Sequence, residues 1–231
     1  MDRKRVEFTS RLSKGQAIAA LLYLPVHVVL LPLLAVILML RGVLNETEAN
    51  LLYYAVGVAY MLVFLWKFFR RDFDALCDRP LRCLLEIAVS YGIMWCCNLC
   101  INMLLYRLNE VSNPNNEALF DLAGMEYGQM AAMAVFMAPV VEESIFRAGL
   151  FGVLRRRSRT LAYIVSVLLF SAYHVWSYAL ADLKNLIYIV QYIPVSILLC
   201  RCYERTNSIW GSIFLHMLVN GVSVAVMYAM L

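Results

Sequence analysis

Gln129–Leu154 reads QMAAMAVFMAPVVEESIFRAGLFGVL, and this stretch settles what kind of protein the chain is. A helix of that length rises about 1.5 Å per residue and reaches about 39 Å. That is ample for a hydrocarbon layer roughly 30 Å thick. Only Glu142, Glu143 and Arg147 are ionisable within it. Six further stretches read the same way: Ala17–Leu40, Leu51–Trp66, Cys83–Tyr106, Leu161–Leu180, Leu186–Cys202 and Ile209–Leu231. The first is too long for a signal-peptide core and has no small-x-small cleavage site, so it reads as an anchor. No ten-residue alternating segments suggest a β-barrel. The pattern predicts an all-α, polytopic bundle of seven membrane helices, with room for an eighth, half-buried segment.

Composition agrees. Hydrophobic residues make up 63% of the 231 and charged residues 16%, against about 45–50% and about 25% in soluble domains. Such a chain is neither disordered, nor nucleic-acid-binding, nor a disulfide-stapled secreted module. It interrupts itself with no linker, repeat or low-complexity tract, so residues 1–231 read as a single transmembrane domain.

Of the twenty basic residues, sixteen lie in the amino-terminal segment and the even loops, and three lie in the odd loops. The basic set comprises Arg3, Lys4, Arg5, Arg11 and Lys14, then Lys67, Arg70, Arg71, Arg79 and Arg82, then Arg155–Arg157 and Arg159, then Arg201 and Arg205. Positive charge is retained on the cytoplasmic side. The amino terminus is therefore expected inside and the carboxyl terminus outside, in an integral protein of the plasma membrane. Phe73, Leu76, Cys77 and Leu81 recur at helical spacing among basic residues, as in an interfacial helix. In the polar loop from Leu108 to Tyr127, Ser112-Asn113-Pro114 reads as the start of a short helix through Leu122. Cys96, Cys97 and Cys100 fall inside a span and read as small hydrophobes.

Charges inside a span are the informative residues, because each costs about 2.5–3.5 kcal/mol at mid-helix. Glu143 and Arg147 stand at i,i+4 in the favourable order and can pair. Glu142 is turned about 100° away and must face something else. Pro139 can bend the helix beside the acids. Two of the three histidines also fall in spans at matching depth. Counted from the basic ends, Glu142 and His174 lie about 18–20 Å in, and His216 and Asn220 about 10–17 Å in. His27, between Pro25 and Pro32, reads as structural. The depths suggest a polar layer opening toward the cytoplasm. Such a layer suits hydrolysis, with Glu142 as a base toward water and His216 with Asn220 as donors to an oxyanion. Zinc held by Glu142, His174 and His216 is the rival chemistry, although no HExxH occurs.

Three motifs carry a resemblance: Glu142-Glu143-Ser-Ile-Phe-Arg147, Phe170-Ser-Ala-Tyr-His174 and His216-Met-Leu-Val-Asn220. In this order the chain resembles the CAAX protease and bacteriocin-processing family (CPBP, or Abi) of intramembrane endopeptidases, over residues 139–221. The resemblance implies that Glu142 and His174 activate the hydrolytic water. It further implies that His216 and Asn220 stabilise the oxyanion or bind that water, with Glu143 and Arg147 orienting the site. Members go by the name of metalloproteases, yet the family picture favours a metal-free glutamate mechanism, and so no cofactor. Substrates in the family range from prenylated CAAX proteins to membrane-associated precursors and bacteriocin leaders. The expected partners are such a peptide or protein and the lipid bilayer, with no nucleic acid. Two other readings stay open, a catalytically silent immunity or scaffold member and a proton-coupled transporter. A transporter of that kind often shows repeated halves, which this sequence lacks.

Overall fold

A computed structural model of the protein describes residues 8–108 and 113–230. Arg3, Lys4, Arg5, Ser112 and Leu231, all named above, lie outside those residues. Most of the helices begin where the sequence supplies a cap or a proline. The first span, α1 (Lys14–Leu40), starts on a capping box of Ser13 and Gln16. The second, α2 (Glu46–Cys77), starts on a box of Asn45 and Glu48. Such boxes satisfy amide protons that the first turn leaves free. A proline opens α3 (Pro80–Arg107). Asn113 caps α4 (Pro114–Ala131), the helix expected in the polar loop, which runs on past Leu122. At Glu126 the backbone leaves the helical region (φ −145°, ψ 68°), and from that bend α5 (Glu126–Leu154) crosses the bundle.

After a basic turn, Ser158 caps α6 (Arg159–Tyr173), which is followed by the short α7 (Trp176–Ala181). The last two spans are α8 (Leu183–Thr206), which begins with a 3₁₀ turn, and α9 (Ile209–Met230). Asn207, in the left-handed region (φ 55°), turns the chain between them. Six helices among the described residues, α1, α2, α3, α5, α8 and α9, are long and apolar enough to cross a membrane. No strand occurs among the described residues. The protein is an integral, polytopic helical membrane bundle.

The expected span Leu161–Leu180 is the exception, because α6 stops at Tyr173. The last turn tightens, with the Val175 amide bonding Ala172, and the His174 ring Nδ1 meets the Phe170 carbonyl at 2.9 Å. A side chain thus takes up a helix-end carbonyl that would otherwise be bare. The apolar run Val175–Leu180 hides that break from a hydropathy reading. Nor is there a separate interfacial helix over Arg70–Arg82. Nothing breaks α2 before Cys77, and the first breaker is Pro80.

The outer surface is apolar, as lipid requires: Leu22, Leu33, Val63, Trp66, Leu84 and Trp95 are all exposed. The core lies around α5, whose apolar window is 56% buried against 11% for that of α1. Close approach to α5 is set at one glycine. A Cβ on Gly57 of α2 would stand 2.9 Å from a Val141 methyl.

The basic segments meet at one end of the bundle. Buried Asp72, near the end of α2, accepts hydrogen bonds from the Ser10 hydroxyl and from the Ile209 amide (2.9 Å). Asn207 accepts from the amides of Thr9 and Ser10 at 2.7 and 3.0 Å. The Arg156 guanidinium donates to the Leu12 carbonyl.

Candidate active site

Two wide π-turns in α5, Ala132–Met137 and Ser144–Phe151, frame the acidic pair. The first lies just before Pro139, which has no amide proton for the carbonyl one turn back. A wide turn is one way a helix absorbs that loss. Pro139 therefore acts beside the acids, as the sequence suggests. The two glutamates then part company, each side chain finding a different environment.

Glu143 and Arg147 are fully buried, and the ion pair expected from their i,i+4 spacing forms at 3.1 Å. Glu143 also accepts from the Ser212 hydroxyl and meets His216 Nδ1 at 2.9 Å. Arg147 donates to Ser196 at 3.1 Å and lies 3.9 Å over the Phe170 ring. A buried charge persists only when paired, and these two pair with each other. Together they brace α5 against α6, α8 and α9.

Glu142 points the other way, into a cavity of about 600 Å³. His174 Nε2 stands 3.7 Å and His216 Nε2 3.9 Å from the same oxygen, Glu142 Oε2. Both rings are tethered through Nδ1, His174 to the Phe170 carbonyl and His216 to Glu143. With the proton placed on Nδ1 by those partners, each ring turns a lone pair on Nε2 toward Glu142. Among the described residues Glu142 Oε2 has no hydrogen-bond partner, while the Tyr54 hydroxyl donates to Oε1 at 3.5 Å. The His174 ring stacks on Tyr192, with centroids 4.5 Å apart.

Asn220 lines the same cavity, but its amide donates to the Ala134 carbonyl at 2.7 Å. All six expected site residues, Glu142, Glu143, Arg147, His174, His216 and Asn220, thus gather around one region. They divide into a cavity face (Glu142, His174, His216, Asn220) and a buried brace (Glu143, Arg147). Among the described residues, no group of three or more His, Cys, Asp or Glu side chains is placed to hold a metal ion. Glu142, His174 and His216 are near neighbours without forming such a group.

The cavity does not open where the sequence depths suggest. Glu46 at the start of α2 and Asn113, Asn115 and Asn116 at the start of α4 line it, and among the described residues none of the basic end does. Toward the basic end it is sealed by Glu143, Arg147 and Ser212, all buried. Depth counted along a helix says how far in a residue lies, but not which end is plugged.

Three residues escape the sequence reading. Ser212 was within reach of it, being one turn before His216 on the face that also carries Asn220. Tyr54 and Tyr192 give no such signal, because tyrosines are scattered through these spans without distinction. His27, expected to be structural, is buried and stacked on Tyr53, with its Nε2 2.8 Å from the Tyr53 hydroxyl and 3.1 Å from that of Tyr173.

Residues 126–222 match the family model of type II CAAX prenyl endopeptidases, Rce1-like. The chain is also similar to a Bacillus subtilis (strain 168) protein named "Putative membrane peptidase YdiL", at 30% identity over 109 residues. That similarity covers 47% of this chain and 41% of the relative, so the chain spans less than half of the relative's length. No solved structure matches the chain. The matched stretch contains all three motifs and both imidazoles that close on Glu142.

Proposed function

We propose that this protein is an intramembrane endopeptidase that hydrolyses a peptide bond of a membrane-associated substrate without a metal. The observation that carries the reading is the convergence of two Nδ1-tethered imidazoles on one oxygen of Glu142, at 3.7 and 3.9 Å. In this reading a water lies between Glu142 and His174 and donates a hydrogen bond to each. Glu142 removes its proton as the water oxygen attacks the scissile carbonyl carbon, and the proton then passes to the departing amine. One water is consumed and two peptide ends are made. Asn220 attends the oxyanion after its amide turns from the Ala134 carbonyl, and the Nε2 lone pair of His216 faces the carboxyl that Glu142 becomes once it holds the proton. Glu143 and Arg147 touch no substrate and act by fixing His216 and the register of α5.

The reading includes an orientation. With the basic end in the cytoplasm, the amino terminus is inside, the carboxyl terminus is outside, and the cavity opens to the outer face of the plasma membrane. The substrate classes named for the family, prenylated termini, precursors and leaders, are narrowed below. The test is Glu142→Gln in proteoliposomes. Cleavage of an N-acylated peptide library should vanish while the elution profile and helix content stay those of the native chain. Full activity would remove Glu142 from the role of base.

A further inference from the structure

Beyond the catalytic groups, much of the cavity wall consists of carboxamides. Asn98 and Asn102 stand at i,i+4 on α3, facing Asn113 from α4 and Gln191 from α8. Asn102, Gln191 and Asn113 are joined in sequence. Gln191 donates to Asn102 at 2.8 Å, and Asn113 donates to Gln191 at 2.6 Å and to the Tyr192 hydroxyl at 3.2 Å. Tyr192 in turn is the ring stacked on His174. A continuous polar track therefore leads away from Glu142. It passes into a second groove, of about 880 Å³, which shares Asn98, Asn102, Asn113 and Asn116 and adds apolar walls from Trp95 and Phe120.

Carboxamides are costly in a membrane helix, and a bundle needing only stability would use apolar packing there. A carboxamide carries the same donor and acceptor as a peptide group. A row of them can pair with an extended backbone whatever its side chains, much as an added strand pairs with a sheet edge. Charge narrows the choice further. Among the described residues, neither lining contains a lysine or arginine, and the acids present are Glu46 and Glu142 in one, Glu117 and Asp121 in the other. A free carboxylate entering here would be desolvated among acids with no cation to meet it. An extended chain covers about 3.3–3.6 Å per residue, so a carboxyl terminus three residues past the cut would stand only about 10 Å from the scissile bond.

Resting on the peptidase reading of the same site, we infer that the cavity takes an internal, extended stretch of polypeptide. The stretch is held by its backbone on the carboxamide track, and a chain whose free carboxylate lies close behind the scissile bond is disfavoured. The substrate class is thus a precursor cut within its chain rather than a protein trimmed at its terminus.

The experiment uses an N-myristoylated, randomised dodecapeptide library in three forms: free acid, carboxyl amide, and extended by ten residues. Cleavage by the native chain in liposomes is read by mass spectrometry, and binding to Glu142→Gln by fluorescence anisotropy. For bonds within three residues of the original end, the amide and extended forms should be cut at least 10-fold faster than the free acid. They should also bind more tightly in the same order, and Gln191→Arg should narrow that difference. Faster cleavage or tighter binding of the free acid overturns the inference, as does failure of every form to bind. Binding in the expected order with no cleavage of any form leaves the inference standing and removes the peptidase reading instead.

Discussion

Glu143 Oε1 lies 2.9 Å from His216 Nδ1 and 3.1 Å from Arg147 Nη1, so one carboxylate oxygen holds both a ring of the cavity face and the cation of the buried brace. The orientation of His216 toward Glu142 is therefore inherited from an ion pair that never meets the cavity. This link makes stability and catalysis separable by substitution.

Arg147→Met leaves Glu143 charged and uncompensated at zero exposure. Removing one member of such a pair costs about 3–5 kcal/mol. Thermal unfolding in detergent should register a large loss. Adding Glu143→Gln should restore part of it without restoring cleavage, since a neutral carboxamide holds His216 less firmly than the carboxylate does. Equal stability of Arg147→Met and the native chain would contradict the brace.

Tyr54→Phe removes the hydroxyl that reaches Glu142 while keeping the ring. A hydrogen bond to a charged group contributes about 1.5–3 kcal/mol, and this one is long. The expected loss in kcat/KM is about 10-fold, with unfolding unchanged. An unchanged rate would leave Tyr54 as packing alone.

Gly57→Ala tests the seam between α2 and α5. The new methyl meets Val141 at 2.9 Å, and overpacking costs about 1–3 kcal/mol. Both stability and cleavage should fall, because α2 carries Tyr54. Val141→Ala in the same chain should recover them, and failure to recover would place the fault outside the seam.

Chelation bears on the chemistry. Cleavage should survive EDTA and 1,10-phenanthroline, as a glutamate base requires no metal. Loss of activity restored by stoichiometric zinc would recast Glu142, His174 and His216 as ligands.

Sidedness checks the orientation. In a chain freed of its seven native cysteines, Asn115→Cys should react with an impermeant maleimide added to intact cells. Arg157→Cys should react only after the membrane is opened. The reverse pattern would invert the protein.

Much of this was legible in the residues. Long apolar runs require helices in lipid, so the bundle follows from hydropathy, and the i,i+4 spacing of Glu143 and Arg147 announces their pair. What escaped depends on contacts between distant segments. The end of α6 at Tyr173 is made by the side chain of His174 bonding backwards, within text that stays apolar to Leu180. The direction in which the cavity opens depends on Ser212 and Arg147 plugging one end, and no periodicity encodes that. Tyr54 reaches Glu142 from a segment 88 positions earlier, which no local pattern could reveal.

The clasp at Asp72 has a consequence for how the chain is made. Its partners Ser10 and Ile209 lie 62 residues before it and 137 after it. During synthesis Asp72 can meet Arg71 and Ser10 early, but the Ile209 amide joins them only when the final helix emerges. Fastening this end is thus a late event in assembly, as expected of contacts between remote parts of a chain. A polypeptide truncated before Ile209 would enter the bilayer without its lock, exposed to quality-control proteases.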